Sequence, residues 1–566
     1  MSSRDSSQAD METFRQSRMN LFIQAILAAS ILLLYLFLIP LALTPPIARD
    51  ALIHHLAIPK LWLLNGGFYE IKWADFSYYP MNIDLLYLIC LYLNNDILPH
   101  FIHMGFGIAT ALLVYHYLAR HFDRITGLLG VLVFVSTPLV MRMSTVAYVD
   151  LGLTFFTTAS ILAMIRWRAG KYQESKWLLI SATAMGLALG TKYNALLAWV
   201  LLTSSVVFLH TRDTGAQWRA VRFGLVHFLV SLALFSPWLI KNFLLTGNPL
   251  YPLFTSLFES GMTSAVSDGS TRSLVSGNTH MGMFPFREAL YGEGFWETLL
   301  IPLRFFFQGQ DDSWRYFDGV LNPILVILAP FAFLQKSHHG DKVFFLLLSV
   351  FFVIITFFLD QLHVRYILPA IPFLAILSAL GIRNAFVWIS ARPRRFRAVC
   401  LSVFLLFLAL LGARNAAYLN GYYERLKPGN YLLCKESRED YLKRNIGSYA
   451  AMAYINRHTP PGARIRLMFL ARRGYYLDRI YVDDATYGMD VMRGLAANAG
   501  DDKSFRNDLD ALGCTHLLMH MDMSNKFLRD NYPPQTIDQL SRRLERELEM
   551  IHHANGYAVY RIIPAN

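Results

Sequence analysis

Two pairs of reactive side chains stand close together near the start of the chain: Arg49-Asp50 and His54-His55, in the stretch Thr44-Pro45-Pro46-Ile47-Ala48-Arg49-Asp50-Ala51-Leu52-Ile53-His54-His55. They follow directly on a long apolar run. A carboxylate at a water–membrane boundary is partly desolvated, which raises its pKa and suits it to take a proton from an incoming nucleophile. Asp50 can equally sit at the positive end of a helix dipole, or pair with Arg49. The adjacent histidines diverge on a helix and lack the i, i+4 spacing of a metal-binding pair, so no metal site is expected.

Farther along, Asp150 opens another apolar run, as acceptor-orienting group or as helix cap. Lys192 lies in Thr191-Lys192-Tyr193-Asn194, Lys241 follows Pro237-Trp238-Leu239-Ile240, and Arg365 lies in His363-Val364-Arg365-Tyr366. Cations at such positions either hold a phosphate or anchor a span at the interface, and a guanidinium does the former bidentately. For Arg365 the plain alternative is a pair with Asp360. Tyr78 and Tyr79 are candidates to stack on a sugar or to sit in an interfacial aromatic belt. The chain has no GxGxxG-type phosphate loop, so nothing supports use of a nucleotide sugar at the inner face.

Composition says what must position these groups. Of 566 residues, 54% are hydrophobic and 16% are charged, against about 25% charged in soluble domains. The net charge of +12 is gathered in short gaps between apolar runs, a topology signal before a nucleic-acid one. Eleven spans are expected. The first runs from about Asn20 to Leu43 and, with no small-residue cleavage site after it, is expected to stay uncleaved. The second runs from about Leu98 to Ala119. The third ends near Met141, and the fourth runs from Asp150 to Arg166 and Arg168. The fifth covers Trp177 to Gly190, the sixth ends by Leu209 and the seventh covers Phe223 to Ile240. The eighth, ninth and tenth run from Val320 to Lys336, Val343 to Leu359 and Arg365 to Arg392. The eleventh covers Ala398 to Leu411.

Two shorter apolar pieces, near Ala51–Leu64 and Ile83–Leu93, are expected to lie on the membrane surface. A polar Ser/Gly/Thr stretch runs to about His280.

With the N-terminus inside, the basic loops at 120–124, 166–176, 212–222, 336–342 and 392–397 all fall inside. Asp50, Asp150, Lys192, Lys241, Asp360 and Arg365 then share the outer side, each at a span end, which makes them a functional-site hypothesis. Residues 1–417 form the membrane domain. Residues 418–566 form a small extracytoplasmic α/β domain, with a helix over Arg438–Arg457 and strands at Ile465–Leu470, His516–Leu518 and Tyr557–Ile563. Further helices are expected near Ser504–Leu512 and Ile537–Met550. Of the four cysteines, Cys434 and Cys514 share that domain and are able to pair if it faces an oxidising compartment.

The stretches ARDALIHHLAIPK, SYYPMN, VAYVDLGLTFF, GLALGTKYN, SPWLIKNFLLTGNPLYPLF and HVRYILPAIP occur in this order. Together they resemble the GT-C superfamily of membrane glycosyltransferases, in particular the bacterial branch related to protein O-mannosyltransferases and aminoarabinose–lipid A transferases. The resemblance implies a mainly α polytopic bundle. It also implies inverting, metal-independent transfer of a sugar from a polyprenyl phosphate to an envelope lipid, glycan or protein on the outer face. No cofactor and no nucleic-acid partner are expected, and the setting is a bacterial inner membrane. The family's first-loop base falls on Asp50 and its second acid on Asp150. Positions where donor-binding residues lie fall on Lys192 and Lys241, and the cationic entry to a late span falls on Arg365; Arg49, His54, His55 and Tyr79 complete the candidate substrate-binding residues. Two departures stand out: Asp50 follows an arginine rather than pairing with a second acid, and SYYPMN lacks the lysine of aminoarabinose transferases. The competing classes are a lipid or solute transporter or flippase, and a non-catalytic partner in polysaccharide assembly. Against the former, the charges lie at span ends rather than midplane and the two halves do not echo one another.

Overall fold

A computed structural model describes residues 2–258, 282–358 and 362–564. The polar stretch to His280, in its greater part, and Asp360 lie outside the described residues. The chain is mainly helical and divides into two compact units. One comprises Met1–Leu43, His100–Ser236 and Met281–Pro428; the other comprises Thr44–Pro99, Pro237–His280 and Gly429–Asn566.

Among the described residues, seven helices are long and apolar enough to cross a membrane: Ser17–Ala42, Leu98–His121, Ala195–Thr214, Gln217–Thr246, His339–Phe357, Val364–Ser390 and Arg394–Leu426. They correspond to the expected first, second, sixth, seventh, ninth, tenth and eleventh spans, and the protein is a multi-pass membrane protein. The third, fifth and eighth are shorter apolar helices, Arg124–Val135, Ser175–Leu189 and Ile324–Leu334. The fourth, Asp150–Ala169, has full length, but Thr154, Thr157, Thr158 and Ser160 dilute its apolar character. All four are buried, so this helix faces protein rather than lipid, the usual place for hydroxyl side chains in a bundle. Close packing within the unit relies on small residues: a Cβ on Gly186 would lie 2.8 Å from the Ser231 carbonyl oxygen.

In the other unit the C-terminal residues form a five-stranded sheet of β1 (Arg464–Met468), β2 (Ile480–Val482), β3 (His516–His520), β4 (Leu548–Ala554) and β5 (Tyr557–Ile562), in the order β2-β1-β3-β5-β4. β1 runs parallel to β2 and β3, while β5 is antiparallel to β3 and β4. Strand alternation sends Ile465, Leu467, Leu518 and Val559 to one face and Met468, Leu517 and Met519 to the other. The second face is covered by helices from residues 489–547, including Met492, Leu495, Phe505 and Leu509.

The first face is covered by the helix Tyr449–His458 and by Ile58, Leu61, Trp62, Ile71, Ala74 and Met81. The segment expected to lie on the membrane surface therefore belongs in part to the core of the C-terminal sheet. Ile58 and Leu61 are fully buried and Trp62 is 6% exposed. At roughly 1.5–3 kcal/mol for each large side chain buried, docking on the sheet competes well with partial immersion among headgroups.

Within the tail, the expected Arg438–Arg457 helix is two helices, Arg438–Asn445 and Tyr449–His458. Gly447 lies between them, where a Cβ would come within 3.2 Å of the Tyr557 ring. The last helix ends at Glu547 rather than Met550, because Leu548 already pairs with Ile562 in the closing hairpin. β2, β4 and the helices Met489–Ala497 and Met521–Asn531 were not foreseen. All four cysteines are free thiols, with Cys434 exposed.

Candidate active site

Asp50 precedes a single π-helical turn, Ala51–His55, after which Leu56 closes the turn with its N–H on the Ala51 carbonyl. Such wide turns are rare and frequently found at functional sites. Asp50 has φ −73° and ψ −26°, and its side chain does not cap the turn. The capping role read from the sequence therefore has no bond behind it. Arg49 is exposed and Asp50 is half-buried.

The two histidines diverge as their adjacency requires. His55 is 5% exposed and its Nδ1 lies 2.7 Å from Oδ1 of Asp84, itself 2% exposed. His54 stacks on Phe76 with ring centres 4.5 Å apart and planes at 16°. The two imidazoles touch at 4.0 Å between centres. Tyr79 meets the edge of Phe76 at 5.5 Å. Asp84 escaped the sequence reading, although its signal was present: a lone acid in the first turn of the otherwise apolar helix Asn82–Tyr92.

Lys241 lies in the same unit, and with its neighbours it clasps the Ser77–Asn82 loop. Lys241 Nζ donates to the Ser77 carbonyl at 2.8 Å, Asn242 Nδ2 to the Tyr78 carbonyl at 2.9 Å, and Trp238 Nε1 to Asn82 Oδ1 at 2.9 Å. Two motifs far apart in sequence thus form one structure. The ammonium also lies 4.9 Å from the centre of the Trp238 ring, and a lysine retains further donors after one carbonyl bond. Tyr78 is buried and donates to Glu70 Oε1 at 2.7 Å, and burial together with that acidic partner raises its phenol above the usual range. Burial also raises the Asp75 carboxyl, with Arg472 opposing.

Arg472 arrives on a turn after β1 in which Phe469, Ala471 and Arg472 have φ of 63°, 51° and 62°. Left-handed geometry costs an L-residue about 1–2 kcal/mol. Three such residues in one turn mark stored strain of the kind that collects at functional positions.

The other unit holds Asp150, Lys192 and Arg365. Asp150 is 2% exposed, and its Oδ1 accepts from Lys192 Nζ at 2.8 Å. Its Oδ2 is buried with no hydrogen-bond partner among the described residues. The charge of Arg365 also acts on this carboxylate. His103 is completely buried. Its Nε2 accepts from the Leu151 N–H at 2.9 Å, so Nδ1 carries the proton toward the carbonyls of Met143 at 2.8 Å and Val146 at 2.9 Å. Arg365 lies over Tyr148 at 5.5 Å, and Lys192 lies 5.5 Å from the Tyr366 ring centre. Asp150 thus pairs with Lys192, and with Arg365 counted the trio carries one net positive charge.

A second polar knot in this unit went unread. Arg142 donates to Asp311 at 2.9 Å, Asp312 at 3.0 Å and Asp318 at 3.2 Å, and His363 Nδ1 lies 3.2 Å from Asp318. Burial of Asp318 works against its charge. The His363 contact and the Arg142 guanidinium nonetheless hold its carboxyl well below the usual range.

A polytopic bundle joined to a small mixed sheet, with an acid-led first loop, defines the class: this is the GT-C fold of membrane glycosyltransferases. A family model described as dolichyl-phosphate-mannose-protein mannosyltransferase matches residues 88–240. ArnT from Cupriavidus metallidurans, solved bound to undecaprenyl phosphate, superposes with a TM-score of 0.55 at 14% identity, covering 95% of this chain and 97% of that one. The oligosaccharyltransferase of Archaeoglobus fulgidus in its apo form gives 0.51 at 11% identity, over 88% of this chain and 70% of that one. No curated protein sequence matches the chain. The family model, which takes in the stretches VAYVDLGLTFF and GLALGTKYN, and the shared fold both support the glycosyltransferase reading.

Proposed function

We propose that the protein transfers a sugar from a polyprenyl-phosphate donor to an envelope lipid, glycan or protein acceptor at the outer face of a bacterial inner membrane. Phosphate leaves readily, so the reaction needs a base for the acceptor and cations for the departing charge. Asp50 is the base: it takes the proton from the acceptor hydroxyl or amine as that atom attacks the anomeric carbon. The carbon–oxygen bond to the phosphate breaks on the opposite side, inverting the centre. His54 and His55, the latter oriented by Asp84, line the acceptor side, with Arg49 and Tyr79 at its margin. Lys241 meets the phosphate beside the Ser77–Asn82 loop.

Within the other unit, Arg365 is better suited than Lys192 to bind an anion, because Lys192 already answers Asp150. Asp150 acts by holding that lysine rather than by moving a proton.

The observation that carries the reading is an acid that does not cap its own turn, on a π-helical segment bearing a buried His–Asp pair. A fold shared with a protein solved on undecaprenyl phosphate supports the donor class. The test is transfer by purified Asp50→Asn in proteoliposomes supplied with a lipid extract from the native membrane. Turnover at the normal rate would remove Asp50 from the chemistry.

A further inference from the structure

The strained turn at Phe469–Arg472 delivers one side chain to one place. Arg472 is 6% exposed. Its Nε donates to the Asp484 carbonyl at 3.1 Å, and a terminal nitrogen lies 4.0 Å from Oδ2 of Asp75. Its guanidinium carbon sits 6.0 Å from the centre of the Phe76 ring and 5.6 Å from that of Tyr487. The accepting side of this bond is held in place by further bonds. Asp484 Oδ1 accepts from the N–H and hydroxyl of Thr486, both at 2.9 Å, and from the Gly488 N–H at 2.8 Å, while its Oδ2 pairs with Arg466.

Beyond Phe76 the contacts continue without a gap. Phe76 stacks on His54, His54 touches His55, and His55 holds Asp84. A single row of groups therefore leads from the edge of the C-terminal sheet to the turn that Asp50 begins. A planar guanidinium can lie along aromatic rings while donating in its own plane, which an ammonium cannot do.

We propose that Arg472 is a positioning residue: from the C-terminal domain it fixes Phe76, and through Phe76 the histidine turn after Asp50. The inference rests on reading that turn as the acceptor side of the site. Arg472 touches no reacting atom. Its effect is on how often the turn holds the geometry in which Asp50 faces the acceptor, so its loss lowers kcat rather than raising the donor KM.

The experiment uses the full chain in detergent micelles, with hydrogen–deuterium exchange as the readout that does not depend on activity. Arg472→Ala is expected to speed exchange across residues 51–56 and 74–79 by about fivefold or more, with protection of β1 unchanged. Arg472→Lys follows it, and Arg506→Ala, which loses its bonds to Asp510 and Glu547, leaves both segments as they were. Unchanged exchange at 51–56 in Arg472→Ala overturns the proposal.

Should that variant loosen β1 as well, Asp75→Asn decides, since it leaves the bond to the Asp484 carbonyl in place: faster exchange at 51–56 supports the proposal and unchanged exchange overturns it. In transfer assays Arg472→Ala lowers kcat about tenfold at constant donor KM. If exchange responds as expected while the unmodified chain transfers no sugar, the glycosyltransferase reading fails and the positioning role stands.

Discussion

Asp50 and Asp150 look alike in sequence, each an acid at the start of a helix after an apolar or small-residue stretch, yet the folded chain treats them differently. Asp150 is deeply buried and bonded to Lys192, with Arg365 acting on the same carboxylate. Asp50 is half-buried, heads a π-helical turn that it does not cap, and is followed by His55, which Asp84 of a later helix holds. A buried ion pair is costly to form and costlier to break on one side, so it fixes structure. A partly exposed acid keeps the access that proton transfer requires. The comparison teaches that depth of burial, not residue type or position at a helix start, separates an acid locked onto a lysine from one that keeps the exposure the proposed base role requires.

The difference can be broken or sharpened by experiment. The largest effect is expected from Asp50→Asn. Turnover falls by about 10²–10⁴-fold, while the thermal midpoint stays close to that of the parent in the same detergent. A large fall in midpoint would place Asp50 with Asp150.

Asp150→Asn does the reverse. It leaves Lys192 and Arg365 facing a neutral amide and destabilises the chain by about 3–5 kcal/mol. Lys192→Met in the same chain recovers a substantial part of that loss, which denaturation of the single and double variants measures as a coupling energy. Additive losses would mean that the observed pair contributes nothing.

A smaller effect comes from the C-terminal sheet. Asp483 is 1% exposed, and burial, with the neighbouring Asp484 charge adding to it, pushes its carboxyl up to about 7. In the folded chain it keeps a proton that the unfolded chain loses near the ordinary value of 3.8. Unfolding between these values releases a proton, so stability falls as pH rises from about 4 to 7. Asp483→Asn removes the slope. The variant should exceed the parent by about 2–4 kcal/mol at pH 8, with the gap closing toward pH 4. A gap independent of pH would show that Asp483 is charged throughout.

The smallest effect is expected at the histidine pair. Asp84→Asn weakens orientation of His55 and lowers kcat by about 10-fold, with little change in donor KM. A change confined to KM would assign the pair to binding alone.

Much of this was legible from residue order. The apolar runs and the six stretches that carry the GT-C likeness follow from local hydropathy and short motifs, β1 and β3 appear at short buried apolar runs, and β5 appears where residues alternate. The clasp of Lys241, Asn242 and Trp238 on the Ser77–Asn82 loop was not legible, although both halves had been singled out. Nor was the Asp84 partner of His55, because a lone acid in an apolar helix reads as a defect until its partner is seen. Arg472 gave no signal at all, since one arginine in a basic chain is unremarkable without its φ angle and the Phe76 ring.

The sequence by itself determined a polytopic membrane protein with an acid-led first loop and a mixed α/β tail, because hydropathy and periodicity act over a few turns of chain. Only the tertiary structure decided which acid is deeply buried against a lysine. It also decided that residues from the first loop complete one face of the tail's sheet, and which arginine reaches the histidine turn. Those facts depend on contacts between residues dozens to hundreds of positions apart, where no local pattern links one partner to the other. Asp50 and Asp150 differ for that reason: the same side chain, at the same kind of helix start, meets a lysine in one place and none of the capping bonds in the other.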